Sequence, residues 1–353
     1  MPSYINAIGT AVPDHDIHHP FISWADRRLD DEREKALFRR MAERSGIEHR
    51  WSALPRTADG GSPIANGGFY AGTRLPGTQE RMAFYAAAAP ELAHRAVDAL
   101  ARKTDLDGIT HLVVASCTGF TAPGTDQLLA RRLNLSPNVQ RTLVGFMGCY
   151  AAVAALRVAH HIARSEPSAR VLVVTVELSS LHLQESGKLE ELLAMLLFAD
   201  GAAAALVSSE EGPLEVDRFF SATVPDSEDL IRWTIGDQGF MMQLSGAVPG
   251  KVREALASPA VRTMLPSAEV ADSWAVHAGG RSILDAVEAG LMLGPDSLQA
   301  SRTVLRRYGN MSSSTLMFVL DEILSGGKRV ENGVALAFGP GVAAEGFAYR
   351  SAA

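Results

Sequence analysis

Cysteine is scarce: 353 residues contain only Cys117 and Cys149, and the two do not form a Cys-x-x-Cys pair. That excludes a zinc-site spacing and suits a reducing compartment, where a free thiol stays available for chemistry. Positive charge is also in deficit, with 33 Lys and Arg against 40 Asp and Glu and a net charge of -7. Nucleic acid and anionic membranes select clustered positive charge, so neither is expected as a partner, and an anionic substrate must be met by a local basic patch. No hydrophobic run is long enough for a bilayer. The most apolar stretch, 192–207, is broken by Asp200 and Gly201 and falls short of the roughly 20 residues a span requires. Residues 1–13 lack the basic-then-apolar order of a secretory leader, and a cytoplasmic location is expected.

What is present is core-forming material. With 47% hydrophobic and 21% charged residues the chain can bury a large interior, as one large domain or two fused halves. Short β-branched or Leu-rich runs (111–116, 171–177, 333–338) alternate with Ala-rich stretches of helical period (84–102, 150–164, 283–293), the pattern of an α/β fold with buried central strands. Residues 52–77, rich in Gly and Pro, carry no sustained period and read as a long surface loop or lid. Two segments echo each other: 196–207 reads apolar strand, Asp-Gly turn, apolar strand, and 334–347 reads apolar strand, Gly-Pro-Gly turn, apolar strand. Two such hairpins, each closing half of the chain, suit a duplicated fold divided at 1–210 and 211–353.

Three polar residues stand where apolar or turn segments meet helices. Residues 143–146 read as a buried strand, Met147-Gly148 as a tight turn and Tyr150 onward as a helix, which puts Cys149 at a strand-to-helix elbow. Unpaired N–H groups and the helix dipole there favour a thiolate, and cysteine pKa values fall to roughly 3.5 to 7.5 in such settings. A buried core cysteine is the competing reading. His277 ends the run Trp274-Ala275-Val276 ahead of Gly279-Gly280 and a helix, and Asn310, in Tyr308-Gly309-Asn310-Met311, precedes the helix 314–324. Singly, His277 could be a core histidine and Asn310 a helix N-cap. As a set they make chemical sense. A His beside a Cys can hold the thiolate as an ion pair, and a neutral Asn amide supplies a second donor to a thioester oxygen or an enolate without adding negative charge.

The surrounding segments carry a resemblance. Residues 7–13 (Ala-Ile-Gly-Thr-Ala-Val-Pro), 145–151 (Gly-Phe-Met-Gly-Cys-Tyr-Ala), 197–203 (Leu-Phe-Ala-Asp-Gly-Ala-Ala), 277–280 (His-Ala-Gly-Gly), 308–313 (Tyr-Gly-Asn-Met-Ser-Ser) and 338–341 (Phe-Gly-Pro-Gly), in that order, make the chain resemble the type III polyketide synthases, which include chalcone and stilbene synthases and bacterial relatives. The resemblance runs nearly end to end. It implies a thiolase-like fold, two related α/β halves in a five-layer αβαβα arrangement, normally as a homodimer. It also implies iterative chemistry: an acyl-CoA starter loads on Cys149, malonyl-CoA is decarboxylated to an enolate that extends the chain, and the product cyclises. The family needs no metal, flavin or nicotinamide, and neither Gly-x-Gly-x-x-Gly nor His-Glu-x-x-His occurs here.

By the same resemblance Cys149, His277 and Asn310 match the catalytic trio, and Phe198 matches a gatekeeping aromatic between the CoA tunnel and the cavity. Arg40 and Arg44 match two cations for CoA phosphate, on one face of the helix 32–44. The third such position is Leu37. Met242 replaces a second gatekeeping Phe, Trp233 replaces a small cavity residue, and Cys117 replaces a small polar one. A bulky Trp233 argues against a chalcone product, and the resemblance to bacterial relatives at 117 and 233, many of which make pyrones or resorcinols from aliphatic starters, implies a product of that kind. Cys117 could be a second reactive thiol, a cavity-lining residue or core, and cavity lining is the expectation. Two rivals stand beside this reading: a ketoacyl synthase III-like enzyme that condenses once, and a non-catalytic acyl-CoA-binding protein of the same fold. The first typically continues its His with Gln-Ala-Asn, unlike Ala278-Gly279-Gly280, and the second is expected to have lost a catalytic residue.

Overall fold

The computed structural model describes residues 1–71, 74–263, 265 and 270–352. Among these, the chain runs β1 (Ser3–Ala11), β2 (His15–Asp16), α1 (His18–Asp26), α2 (Glu32–Arg44), β3 (Trp51–Ser52), α3 (Thr78–Ala101), β4 (His111–Ser116), α4 (Thr125–Arg132), β5 (Gln140–Gly145), α5 (Ala151–Ser165), β6 (Arg170–Leu178), α6 (Leu189–Met195) and β7 (Asp200–Ser208). It continues through β8 (Leu214–Thr223), β9 (Ile231–Gly236), β10 (Gly239–Leu244), α7 (Val248–Ala257), α8 (Pro259–Arg262), β11 (Ser273–Val276), α9 (Arg281–Leu291), α10 (Gln299–Tyr308), α11 (Ser314–Ser325), β12 (Gly333–Gly339) and β13 (Ala343–Ser351).

The sheet order is β11-β12-β13-β8-β1-β7-β6-β4-β5, and it contains the same pattern twice. In the first half β4 lies parallel to β6, β6 antiparallel to β7 and β7 antiparallel to β1. In the second, β11 lies parallel to β12, β12 antiparallel to β13 and β13 antiparallel to β8. A short pairing of Ser3–Ile5 with Leu214–Val216 joins the two into one continuous sheet. Helices α5 and α11 bury their apolar faces in the cluster between the two halves of that sheet, with Leu156 and Leu316 both 2% exposed or less. On the outside, α3 covers the first half and α7, α9 and α10 the second. Five layers result, the thiolase-like arrangement.

The strands are fully buried where the sequence is uniformly apolar, as in β4 and β7, because both faces are covered. The run of alanines in β7 and the glycine in β1 let helices approach closely: a Cβ on Gly9 would lie 2.1 Å from the backbone nitrogen of Leu100 in α3. The expected hairpin over 334–347 forms, as β12 and β13 around Pro340–Val342. The one expected over 196–207 does not. Asp200-Gly201 opens β7 instead of turning, and the preceding segment makes only a single bridge, Phe198 to Asn310. Asp200 is fully buried and its carboxylate accepts from Ala53 N and from the backbone and hydroxyl of Ser180, so this Asp-Gly pair anchors loops from inside. In the described part of 52–77 there is no helix or further strand, but the segment is packed: Leu54, Ile64, Tyr70 and Leu75 are buried, and the Tyr70 hydroxyl donates to the Ser180 carbonyl at 2.8 Å.

Candidate active site

Cys149 lies in a 3-10 turn, Gly148–Tyr150, between β5 and α5. The elbow is tight. Phe146 has φ +56° and Gly148 φ +76°, and a Cβ on Gly148 would stand 2.2 Å from Pro340 Cδ. Only glycine meets both demands there. His277 follows β11, with its backbone N–H donating to the Leu336 carbonyl at 2.8 Å. Asn310 follows α10, its peptide clamped by Leu197 O and Ala199 N at 2.9 Å each. Thus Cys149 comes from the first half of the chain and the other two groups from the second. The Asn310 side chain is fixed as well: Oδ1 accepts from Ser312 N at 2.8 Å, Nδ2 donates to Gly279 O at 3.1 Å, and the amide also hydrogen-bonds the Cys149 thiol.

All three side chains line one cavity of about 620 Å³, together with Phe198, Met242 and Phe338. A second cavity of about 880 Å³ shares Phe198 and Met242 with the first, and it carries Trp233, His182, Gln184 and Arg50. Trp233 and Met242 face each other across the β9–β10 hairpin, so one small element supplies both walls. The Trp233 indole is tied down, its Nε1 donating to the Cys117 carbonyl at 2.8 Å and its ring meeting His182 edge-on at 5.3 Å. His182 is itself held at both nitrogens, by Thr118 O at 2.7 Å and Phe240 N at 3.0 Å.

Burial governs the protonation states. Among the described residues the His277 ring has no hydrogen-bond partner at either nitrogen, and its burial pulls the imidazole down to about 4. Burial pushes the Cys149 thiol up to about 12; hydrogen bonds from Ser312 and Asn310 oppose that rise and the Glu177 carboxylate adds to it. The thiolate expected from the helix terminus is opposed by desolvation, which disfavours either charge alone at this site. A proton moved from Cys149 to His277 would create both charges together, each offsetting part of the other's burial cost. Glu177 is fully buried and accepts from Cys117 N at 3.0 Å, Thr118 Oγ1 at 2.8 Å and the Ser313 hydroxyl; burial lifts its carboxyl to about 7.

Cys117 lines neither cavity, contrary to expectation. Its sulfur is spent on Gly148, accepting from the N–H at 2.9 Å and donating to the carbonyl at 3.2 Å, and burial raises its thiol well above the ordinary range. Arg44 stands on the rim of the cavity that holds Cys149, whereas Arg40, one turn earlier in α2, is exposed and lines neither space. Arg281, at the start of α9, shares that rim and donates to the Arg44 carbonyl at 3.3 Å. Sequence reasoning did not single it out, nor Ser312, Glu177 or Arg50. Ser312 alone had a signal, its place in the run that follows Asn310. Among the described residues no cluster of three or more His, Cys, Asp or Glu could hold a metal ion, and no helix is long and apolar enough to cross a membrane.

A cysteine, a histidine and an amide converging on a cleft of a duplicated α/β fold define a thiolase-like condensing enzyme. Comparison with known proteins narrows this. The family model for the N-terminal domain of chalcone and stilbene synthases matches residues 2–211, and that for their C-terminal domain matches 216–353. "Type III polyketide synthase C" of Arabidopsis thaliana is 34% identical over 263 residues, covering 70% of this chain and 68% of the relative. "Type III polyketide synthase 21" of Oryza sativa subsp. japonica is 38% identical over 258 residues, covering 69% of this chain and 66% of the relative. Among solved structures, PKS-I from the brown alga Ectocarpus siliculosus superposes with a TM-score of 0.87 at 29% identity, over 99% of this chain and 98% of that one. The C-terminal type III polyketide synthase domain of Steely1, a type I/III hybrid from Dictyostelium, gives 0.90 at 26% identity over 100% of both. The chain belongs to the chalcone and stilbene synthase family, the type III polyketide synthases, and is a condensing acyltransferase of that family.

Proposed function

We propose that this enzyme loads an acyl-CoA starter on Cys149, extends it by repeated decarboxylative condensation with malonyl-CoA, and closes the chain to a pyrone or resorcinol. The reading rests on one observation above all: Cys149, His277 and Asn310 share a cavity, and Phe198 and Met242 line both it and a second, larger one. In loading, His277 takes the Cys149 proton, the sulfur attacks the thioester carbonyl, and the departing CoA sulfur leaves with a proton. In extension, donors on His277 and Asn310 hold the malonyl thioester oxygen while carbon dioxide leaves. The enolate carbon then attacks the Cys149 thioester and releases the sulfur for the next round. The apolar faces of Phe198 and Phe338 exclude water and offer the malonate carboxylate no partner. Arg44 is placed to meet CoA phosphate at the rim, with Arg40 extending the positive face of α2. Coenzyme A is a substrate carrier here, and no resident cofactor takes part.

Trp233 carries the choice of aliphatic over aromatic starters, because its pinned indole fills one wall of the inner cavity. A homodimer is part of the proposal: β5 is a sheet edge, and Leu143 on it and nearby Phe120 are 46% and 41% exposed, which leaves apolar surface for a second copy. Light scattering on the purified protein is expected to give twice the chain mass. The function is tested by incubating the enzyme with malonyl-CoA and starters of short, long and aromatic type, with products read by mass spectrometry. Multiply extended pyrones or resorcinols from aliphatic starters are expected. A product of one extension, formed only from carrier-bound malonyl, would assign the enzyme to the ketoacyl synthases instead.

A further inference from the structure

Arg50 follows α2 in the segment leading into β3, is 1% exposed, and makes no ion pair among the described residues. The carboxylates of Asp16 and Asp200 favour its charge against the cost of burial, and the guanidinium's own hydrogen bonds and packing fix where it sits. They hold the two sides of the active site. Its Nη1 donates to the carbonyls of Met195 and Phe198, both at 2.9 Å, and its Nε donates to His18 Nδ1 at 3.2 Å while the guanidinium stacks over Phe21 at 4.4 Å. The aliphatic stem of Arg50 meanwhile backs the turn before Asn310: a Cβ on Gly309 would fall 2.9 Å from Arg50 Cγ and 3.1 Å from Leu197 O. The Phe198 segment and Asn310 are bonded to each other through Asn310 N to Leu197 O and Ala199 N to Asn310 O.

We propose that Arg50 is a positioning residue that fixes the Phe198 wall and the Asn310 amide in one relation, so that the amide meets the thioester oxygen of a substrate seated against that wall. Arg50 does not itself touch the reacting atoms. The inference rests on the proposed roles of Phe198 and Asn310. Its chemistry is that of a planar fork: two carbonyls and an imidazole nitrogen are held at set angles, which neither an ammonium nor an apolar chain reproduces.

The test uses the full-length enzyme with Arg50→Met, Arg50→Lys and Gly309→Ala, and measures malonyl-CoA decarboxylation together with alkylation of Cys149 by iodoacetamide. Displacement of a positioned donor by a fraction of an ångström is expected to lower the decarboxylation kcat of Arg50→Met by about 10- to 100-fold, with KM and the alkylation rate changed less than about 3-fold. Arg50→Lys is expected to recover part of that loss. Gly309→Ala, strained at φ +69°, is expected to give the same split by pushing the turn from the other side. Parallel loss of kcat, KM and alkylation would show a merely structural arginine, and a normal kcat in Arg50→Met would remove the role altogether. If Arg50→Met does not fold, Arg50→Lys and Gly309→Ala decide by the same split. A wild-type enzyme that fails to decarboxylate malonyl-CoA would overturn the proposed function itself, an outcome distinct from variants that behave like an active wild type.

Discussion

Glu177 offers a quantitative check on how dry the active-site core is. Its carboxyl is lifted by burial from 4.5 to about 7, so the folded chain binds this proton more tightly than the unfolded chain does. Stability contributed by the bound proton is therefore full below about pH 4.5, declines as pH rises toward 7, and is gone above it. The difference amounts to about 3 kcal/mol at 1.36 kcal/mol per pKa unit. Glu177→Gln keeps an acceptor for Cys117 N and Thr118 Oγ1 and presents its amide to Ser313, whose hydroxyl can turn to accept. The variant should match wild type near pH 4.5 and exceed it near pH 8. For a chain of this length the gain corresponds to about 4 °C in thermal midpoint. The same change removes a negative charge that holds the Cys149 thiol up, so alkylation of Cys149 at pH 8 should quicken. Thermal melts from pH 4.5 to 8.5 and timed iodoacetamide labelling provide the assay. Wild-type and variant midpoints that run parallel across this range would refute the reasoning, since they would mean that Glu177 ionises as if in water.

Further outcomes bear on the site directly. In His277→Ala the thiol of Cys149 is left without its proton acceptor, so alkylation should be slower than wild type at pH 7 and climb about tenfold per pH unit toward the alkaline range; superposable pH profiles would mean that the two groups do not act as a pair. Cys149→Ala should lose starter loading yet retain measurable malonyl-CoA decarboxylation, because His277 and Asn310 remain; complete loss of carbon dioxide release would contradict their assigned part. Trp233→Gly should admit bulkier starters, and an unchanged product profile by mass spectrometry would take this residue out of the cavity wall. Gly148→Ala should abolish loading, because its Cβ would collide with Pro340 at a left-handed elbow; normal loading would show that the elbow can relax.

Much of this was legible in the sequence where a periodic signal or a fixed motif carried it. Residues 84–102, 150–164 and 283–293 announce helices by their apolar spacing, and α3, α5 and α9 form there. Cys149, His277 and Asn310 could be singled out because each sits at an element boundary near a glycine. What failed did so for identifiable reasons. Asp200-Gly201 carries the composition of a turn, but a buried Asp that serves as acceptor for two separate loops looks the same in sequence. Cys117 shares its residue type with Cys149, and only the fold shows its sulfur committed to Gly148. The helix-terminus argument for a Cys149 thiolate omitted desolvation, which depends on layers contributed by both halves of the chain. Arg50 and Glu177 were missed because an isolated Arg in a polar segment and an isolated Glu in a strand give no local sign of burial; their meaning comes from partners up to 148 residues away.

The account turns on Cys149 as the attachment point of the growing chain. Mass spectrometry of the intact protein and its peptides, after brief exposure to an acyl-CoA starter without malonyl-CoA, tests this most directly. The prediction is a single acyl adduct on the peptide carrying Cys149, absent in Cys149→Ala. An adduct on Cys117, or one that survives replacement of Cys149, would contradict it.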